Sequence, residues 1–471
     1  MTGSRDYSPL LAELAEAYAQ YSPRSAALHD QALEVLVDGG SHALRLIQPF
    51  PPRIVAARGA RVRDEDGHSI LDFWQGHFAN LLGHNPDIVL SALAQAFEDG
   101  FGLQTGFSDR LQVEVAELLC RQTGAERVRF TTSGSLATLY AVILASAFTG
   151  RHLVMKVGGG WHGAQPWGLR GVRFDPQTGY SGLNTEGLSP ALAEEVVVTG
   201  FNDPSRLADD FRRHGDQLAC FMVEPVLGAG GLLPATGEYL HTARQLCSEY
   251  GAVLVFDEVV TGFRFRAGDL GRLYGVQPDL TTFGKIIGGG MPVSAVAGRA
   301  DILGQVGCEQ GRKVAFSGGT FSAHPASLLA AKTVMDYLVE REAEVYPRLA
   351  SLGELARRTA EQAFGEEGIY AYCSGHSGDL ACGSSMAMLH FPYQEGSELV
   401  TPDDANDPTK CDVELRDGVL QLALLLEDVH VVHGLAAVST AHCEEDIVAL
   451  GEACRSVARR VKSQDRLLRH T

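Results

Sequence analysis

An α/β fold is expected for this chain: a mostly parallel sheet with helical crossovers, joined to a smaller α+β domain. Three features carry that expectation. Between about residues 85 and 325, short apolar runs alternate with amphipathic stretches of helical period. Two of the runs, LACFMV and VLVF, are apolar throughout, as strands covered on both faces are. From about Ser327 the texture changes to long helix, isolated strands and one acidic, weakly patterned stretch. At 471 residues the chain is long for one domain and suits two.

The elements follow in order. Residues 1–50 read as helix and then loop, closed by Pro51-Pro52, and the first twenty form an amphipathic helix without the apolar core of a signal peptide. ARGARVRDEDGHSILDFWQG alternates as a small antiparallel unit turning at Asp66-Gly67. The strands expected next are RVRF, HLVMKV, EVVVTGF, LACFMVEPV and AVLVFDEV. Beyond Ser327, SLLAAKTVMDYLVE opens a long helix, SMAMLHF is a strand and VHVVHG a short one. Between those strands, YQEGSELVTPDDANDPTK reads as a solvated surface insertion. The expected division is 1–80, an N-terminal segment completing the small domain; 81–330, the large domain; and 331–471, the small domain.

Composition narrows the function. A net charge of −19 with no offsetting Lys/Arg cluster argues against nucleic acid. No run is long enough to span a bilayer. Nine cysteines without a CxxC pair suit reduced thiols in a cytoplasmic protein.

The chemistry concentrates between Val253 and Gly298. The apolar run VLVF delivers Asp257-Glu258 at its carboxyl end, and a lone Lys285 follows between Gly284 and Ile286, with three glycines just beyond. An acid at a strand tip and a lysine in an apolar, glycine-rich turn are what pyridoxal phosphate chemistry requires. The lysine forms a Schiff base with the aldehyde, and the carboxylate keeps the pyridine nitrogen protonated so that the ring accepts electrons. As residue types alone, Asp-Glu would also serve as a helix cap and a lone lysine as a surface charge.

Other segments add to this pair. After RVRF, Ser133-Gly134-Ser135 stands where a helix begins, a place for a phosphate and equally for a plain cap. In KVGGGWHGAQPWG, Gly158, Gly160 and Gly163 spell a dinucleotide fingerprint, but Pro166 and Gly168 break the helix that fingerprint needs. Trp161, flanked by three glycines, is expected to face a ligand, and His162 to be structural. Glu224, ending LACFMV, either tunes the site or anchors a neighbouring arginine.

DEVVTGFR followed by GVQPDLTTFGKIIGGGMPVSAVAGR resembles the class III pyridoxal-phosphate aminotransferases and, within them, the glutamate-1-semialdehyde 2,1-aminomutase branch. The resemblance runs from about Gly39 to the last helix. It implies a fold-type I transferase whose large domain holds a mostly parallel seven-stranded sheet. It also implies pyridoxal 5'-phosphate as cofactor, Lys285 as the catalytic lysine, Asp257 at the pyridine nitrogen, Val259 under the ring and Trp161 stacked on it. Gly134 and Ser135 would hold the phosphate. Thr320, in FSGGTFSAHP, would reach the phosphate of a partner subunit, making the enzyme a homodimer with shared sites. The substrate would be a small amino acid or amino aldehyde, with Arg45, Glu224 and His433 as candidate contacts and Arg264 as a second, equally structural, cation.

Four positions depart from the family pattern: Leu136 and Ala229 where relatives carry acids, His324 for an asparagine, and Gly434 for the aminomutases' glutamate. His430, His433 and His442 have no nearby carboxylate or cysteine cluster in an obvious ligand geometry, so no metal is expected. Three readings stay open: an aminotransferase acting between an amino acid and a keto or aldehyde acceptor, a 2,1-aminomutase, and a non-catalytic cofactor-binding protein.

Overall fold

The computed structural model describes residues 5–307, 311, 313–380 and 382–468. Its central sheet has seven strands: β1 (Arg127–Thr131), β2 (Leu153–Val157), β3 (Val196–Thr199), β4 (Leu218–Val223), β5 (Val253–Glu258), β6 (Leu280–Phe283) and β7 (Ser294–Gly298). They lie in the order β1-β7-β6-β5-β4-β2-β3. β7 runs antiparallel to both its neighbours, and every other pairing is parallel. The five expected strands are present. The two that the pattern did not announce, β6 and β7, are the short LTTF and the small-residue SAVAG.

Strands β4, β5 and β6 are buried along their whole length, which is why LACFMV of β4 and VLVF of β5 read as continuous apolar runs. Side-chain alternation then sorts the strands' residues between two cores. Val253 and Val255 pack with Ala137, Ala141 and Ala145 of the helix Gly134–Thr149. Leu254 and Phe256 face the opposite core, with Leu207, Phe211, Leu240 and Ala243. The same alternation sends Asp257 to the face of the Gly134 helix and Glu258 to the other.

The crossover helices are capped as their sequences suggest. Ser133, Asp203 and Thr236 each accept a hydrogen bond from the amide three residues on, at 3.3, 2.9 and 3.2 Å.

A four-stranded sheet joins distant parts of the chain. Ile54–Arg58, Arg61–Asp64 and Ser69–Asp72 form the antiparallel unit turning through Asp66-Gly67, and Val429–His430 adds in parallel to Ser69–Asp72. A second small sheet pairs Tyr372–Ser374, Met386–His390 and Leu435–Ala437. The helices Glu342–Glu366 and Glu444–Leu468 pack against each other.

One expectation is corrected. The acidic segment 393–410 is not merely solvated. It contains the helix Pro402–Asn406, opened by a capping box at Thr401, with Pro402 and Ala405 buried. Asn406 Nδ2 donates to Gly230 O at 3.1 Å and to the Tyr180 hydroxyl at 3.1 Å, and Tyr180 donates to Pro402 O at 3.2 Å. The acidic residues that made the stretch look like an insertion occupy the exposed side of a docked strap.

Candidate active site

The carboxyl ends of the sheet strands bring Asp257, Lys285, Glu224, Trp161 and the Gly134 turn to one edge of the sheet, where α/β folds build sites. Asp257, near the end of β5, is 4% exposed. Its Oδ1 accepts hydrogen bonds from Val259 N (3.1 Å) and from Thr282 Oγ1 (2.9 Å), Thr282 being its register partner on β6. Its Oδ2 lies 2.8 Å from His162 Nδ1. The carboxylate is thus held in one orientation by three donors from three segments.

Lys285 opens a single 3-10 turn, Lys285–Gly288, directly after β6. Its φ is +49°, a left-handed conformation that non-glycine residues seldom hold except where the surroundings impose it. Burial pushes its ammonium below the usual lysine range, while the Asp257 and Glu224 carboxylates act in the opposite sense.

Val259 packs between two glycines. A Cβ on Gly134 would lie 2.9 Å from Val259 Cγ1, and one on Gly284 would lie 3.2 Å from the same atom. Any larger residue at Gly134 would push Val259 off the first turn of the helix. The amides of Gly134 and Ser135 belong to that turn, and orphan donors with the positive end of the helix dipole make it an anion site. Ser135 also has a local partner: its Oγ accepts from Ala164 N at 3.2 Å.

Trp161 is 42% exposed, consistent with a ring turned outward rather than packed in a core. Its backbone amide donates to Glu224 Oε1 at 2.9 Å, and Gly228 N donates to Glu224 Oε2 at 3.0 Å. The partners of Glu224 are therefore amides and not an arginine. Burial, with Asp257 nearby, pushes its carboxyl up to about 8.

Beneath the same loop lies a group that the sequence reading passed over. Lys156 on β2 is 1% exposed and donates to Gly160 O (2.8 Å), Gly168 O (3.1 Å) and Arg170 O (2.8 Å). Burial lowers it to about 7 against the pull of Glu224 and Asp257. His162, expected to be structural, is the residue bonded to Asp257, and Thr138 Oγ1 fixes its carbonyl at 2.6 Å. Its place directly after Trp161, in a loop already assigned to the ligand, was the available signal.

Arg45 lies in the turn Ala43–Arg45, and its Nε donates to His77 Nε2 at 3.1 Å. His77 belongs to the run Gln75–Phe78, which packs against the turn Lys285–Gly288, so this arginine lies in the neighbourhood of the lysine's turn. Arg264 is buried and spends its donors on backbone carbonyls, Val260 O at 3.0 Å and Phe78 O. His433 lies 3.9 Å from Asp417, outside the hydrogen-bond network of Asp257. Thr320 is exposed, and the adjacent Gly319 lies beside Thr132, just ahead of the helix turn. Among the described residues no group of three or more metal ligands converges, and no helix is long and apolar enough to cross a membrane.

A fixed carboxylate, an amine in a buried turn, an anion-binding helix end cleared by glycine and an outward tryptophan fit a planar, phosphorylated, nitrogen-containing aldehyde. The sequence profile described as "Aminotransferase class-III" matches residues 47–359. A glutamate-1-semialdehyde 2,1-aminomutase of Halorubrum lacusprofundi is 35% identical over 393 residues, covering 82% of each chain. Among solved structures, a "Transaminase with PLP bound" superposes with TM-score 0.82 at 30% identity, over 94% of this chain and 99% of the other. An omega-transaminase from Sphaerobacter thermophilus superposes with TM-score 0.84 at 29% identity, over 93% and 98%.

Proposed function

Because the chain belongs to the class III aminotransferase family, a pyridoxal-phosphate-dependent group of fold-type I, we propose that it is an intermolecular aminotransferase moving an amino group from an amino acid to a keto or aldehyde acceptor. The observation that carries this reading is Gly434. The position that holds the aminomutases' glutamate is here a glycine with φ +70°. A Cβ there would lie 2.8 Å from Leu389 O and 2.9 Å from Arg416 Cγ. The backbone itself has no room for an acid at this place. A 2,1-aminomutase is the second reading, favoured by the name of the curated relative at 35% identity.

When bound, the cofactor supplies an aldehyde for amine exchange and a ring that takes up electron density. The rest is assigned to this chain's own residues. Lys285 Nζ would hold the aldehyde and, once free, would carry a proton for the exchange; its lowered basicity suits that role. Asp257 would keep the ring nitrogen protonated, its carboxylate aimed by Thr282 and His162. Gly134 and Ser135 would take the phosphate and Val259 and Trp161 would meet the ring, while Glu224 holds the tryptophan's loop.

Thr320 we assign to the phosphate of a second subunit. The exposure of its neighbour Phe321 (58%), and of Leu103 and Phe107 (74% each), supports a homodimer burying those side chains. The division into 1–80, 81–330 and 331–471 is supported by the pairing of Ser69–Asp72 with Val429–His430, and a cytoplasmic location by the free thiols.

The test is a half-reaction. Cofactor-loaded protein is mixed with single amino donors, and the visible band of the lysine-bound cofactor is followed as it converts to the amine form. Glutamate-1-semialdehyde is then supplied alone. Conversion by a donor with no isomerised product from the semialdehyde supports the aminotransferase. Isomerisation without an added acceptor overturns it in favour of the aminomutase.

A further inference from the structure

Four consecutive residues, Gln75, Gly76, His77 and Phe78, have φ of 46°, 61°, 59° and 66°. Only one is glycine. A left-handed run of this kind persists where the surroundings over-determine it, and such strain gathers at functional sites. Both ends are clamped here. The Asp72 carboxylate accepts from Trp74 N (2.9 Å) and Gln75 N (3.0 Å), and Arg264 donates to Phe78 O with its guanidinium 5.5 Å from the Phe78 ring centre. The run packs against the turn Lys285–Gly288, with Cα atoms within 8 Å.

At its centre is His77. The ring sits between Trp74 and His42, with centroids 4.8 and 4.6 Å away. Its Nε2 accepts the Arg45 Nε–H, so the ring proton resides on Nδ1. Burial first, then the charges of His42, Arg45 and Lys285, push the ring down to about 3, which keeps it neutral at working pH. The bond to Nε orients an otherwise exposed arginine and leaves its two terminal nitrogens free for a planar, bidentate partner.

We infer that His77 is a positioning residue that determines specificity: by accepting from Nε it aims the terminal nitrogens of Arg45 at the carboxylate of the amino-acid substrate beside Lys285. The inference deepens the aminotransferase reading and rests on it for the identity of the ligand. The left-handed turn explains why the sequence spends strain at this place. The clamp from Asp72 and Arg264 holds residue 77 in the run that packs against the lysine's turn.

The experiment measures binding apart from turnover. Pentanoate, a carboxylate without an amine, and pentanamide, its uncharged analogue, are titrated into the cofactor-loaded enzyme by calorimetry. His77→Asn tolerates the left-handed backbone but is too short to reach Arg45; His77→Gln retains an acceptor and a donor at longer reach. The preference of the wild type for pentanoate over pentanamide is expected to fall about tenfold or more in His77→Asn and in Arg45→Ala, and to return in large part in His77→Gln. An unchanged preference in His77→Asn, or an equal loss of both ligands, overturns the subsite. If pentanoate binding follows this pattern while no amino donor converts the cofactor, the subsite stands and the aminotransferase reading fails.

Discussion

The imidazole of His162 reaches Asp257 Oδ2 at 2.8 Å with both side chains buried, while Thr282 holds the other carboxylate oxygen at 2.9 Å. A carboxylate tethered on both oxygens cannot turn away from the ring nitrogen it is assigned to meet. Replacing His162 by Phe removes a donor to a charged group, a bond of about 1.5–3 kcal/mol. The half-reaction is expected to slow by roughly 10–100-fold and the visible band of the lysine-bound cofactor to shift, because the ring nitrogen loses its fixed partner. Stopped-flow spectra of the variant check this; wild-type rate and spectrum would remove His162 from the site.

Two buried or partly buried lysines border the same carboxylates, and only one is assigned to the cofactor. Borohydride reduction followed by peptide mapping is expected to place the adduct on Lys285 alone, and Lys285→Ala to lose both adduct and turnover. Lys156→Met, by contrast, leaves three buried carbonyls without their donor. It should keep the adduct on Lys285 while lowering stability by about 2–4 kcal/mol and weakening cofactor affinity through the Trp161 loop. An adduct on Lys156 would invert the assignment.

Restoring the acid of the aminomutases tests the role given to Gly434. Gly434→Glu forces a side chain onto a left-handed residue, costing about 1–2 kcal/mol before its contact with Leu389 O and Arg416 is relieved. The expected outcome is a lower melting temperature and no gain of isomerase activity. A variant as stable as the wild type would show that the turn adapts.

His390 supplies a pH dependence. It is fully buried between Ser374 Oγ (3.0 Å), Gly231 O (3.1 Å) and Arg416 Nη1 (3.3 Å). Burial, reinforced by the Arg416 charge, lowers it to about 3. Its folded pKa is therefore below its unfolded value near 6.5. Between those values the unfolded chain binds the extra proton, so this contribution to stability is intact above pH 6.5 and is lost as pH falls toward 3. His77, and His442 at about 4, act in the same direction. The drop in melting temperature from pH 7.5 to pH 5 should be smaller in His390→Gln than in the wild type. Equal drops would mean that His390 does not titrate on unfolding in this range.

Much of the site was legible because its residues announce themselves by type and place. Asp257 ends a strand buried on both faces, Lys285 sits among glycines, and the Ser133 cap marks the helix that carries Gly134. What escaped was long-range or strained. Lys156 looks like an ordinary strand lysine until the loop 160–170 folds over it, and no local pattern reports that closure. β7 escaped because Ser, Ala and Gly carry little strand signal, although its neighbours bury it completely. The left-handed turn at Gln75–Phe78 has one glycine in four and no turn signature, so its clamp from Asp72 and Arg264 became visible only in three dimensions. The acidic strap misled for a related reason: its charge faces solvent while Pro402 and Asn406 dock underneath.

Asp72 also sets an order on the making of this protein. Its Oδ1 is bonded to His430, 358 residues further along the chain, and its Oδ2 to His84. These two rings hold the buried carboxylate well below its usual range in spite of its burial. A ribosome has therefore to synthesise past position 430 before the carboxylate that clamps the left-handed turn beside Lys285 is itself satisfied. A chain ended before His430 would carry the lysine and the helix Gly134–Thr149 without this brace. The strand Val429–His430 thus closes the clamp only once nearly the whole chain has been made.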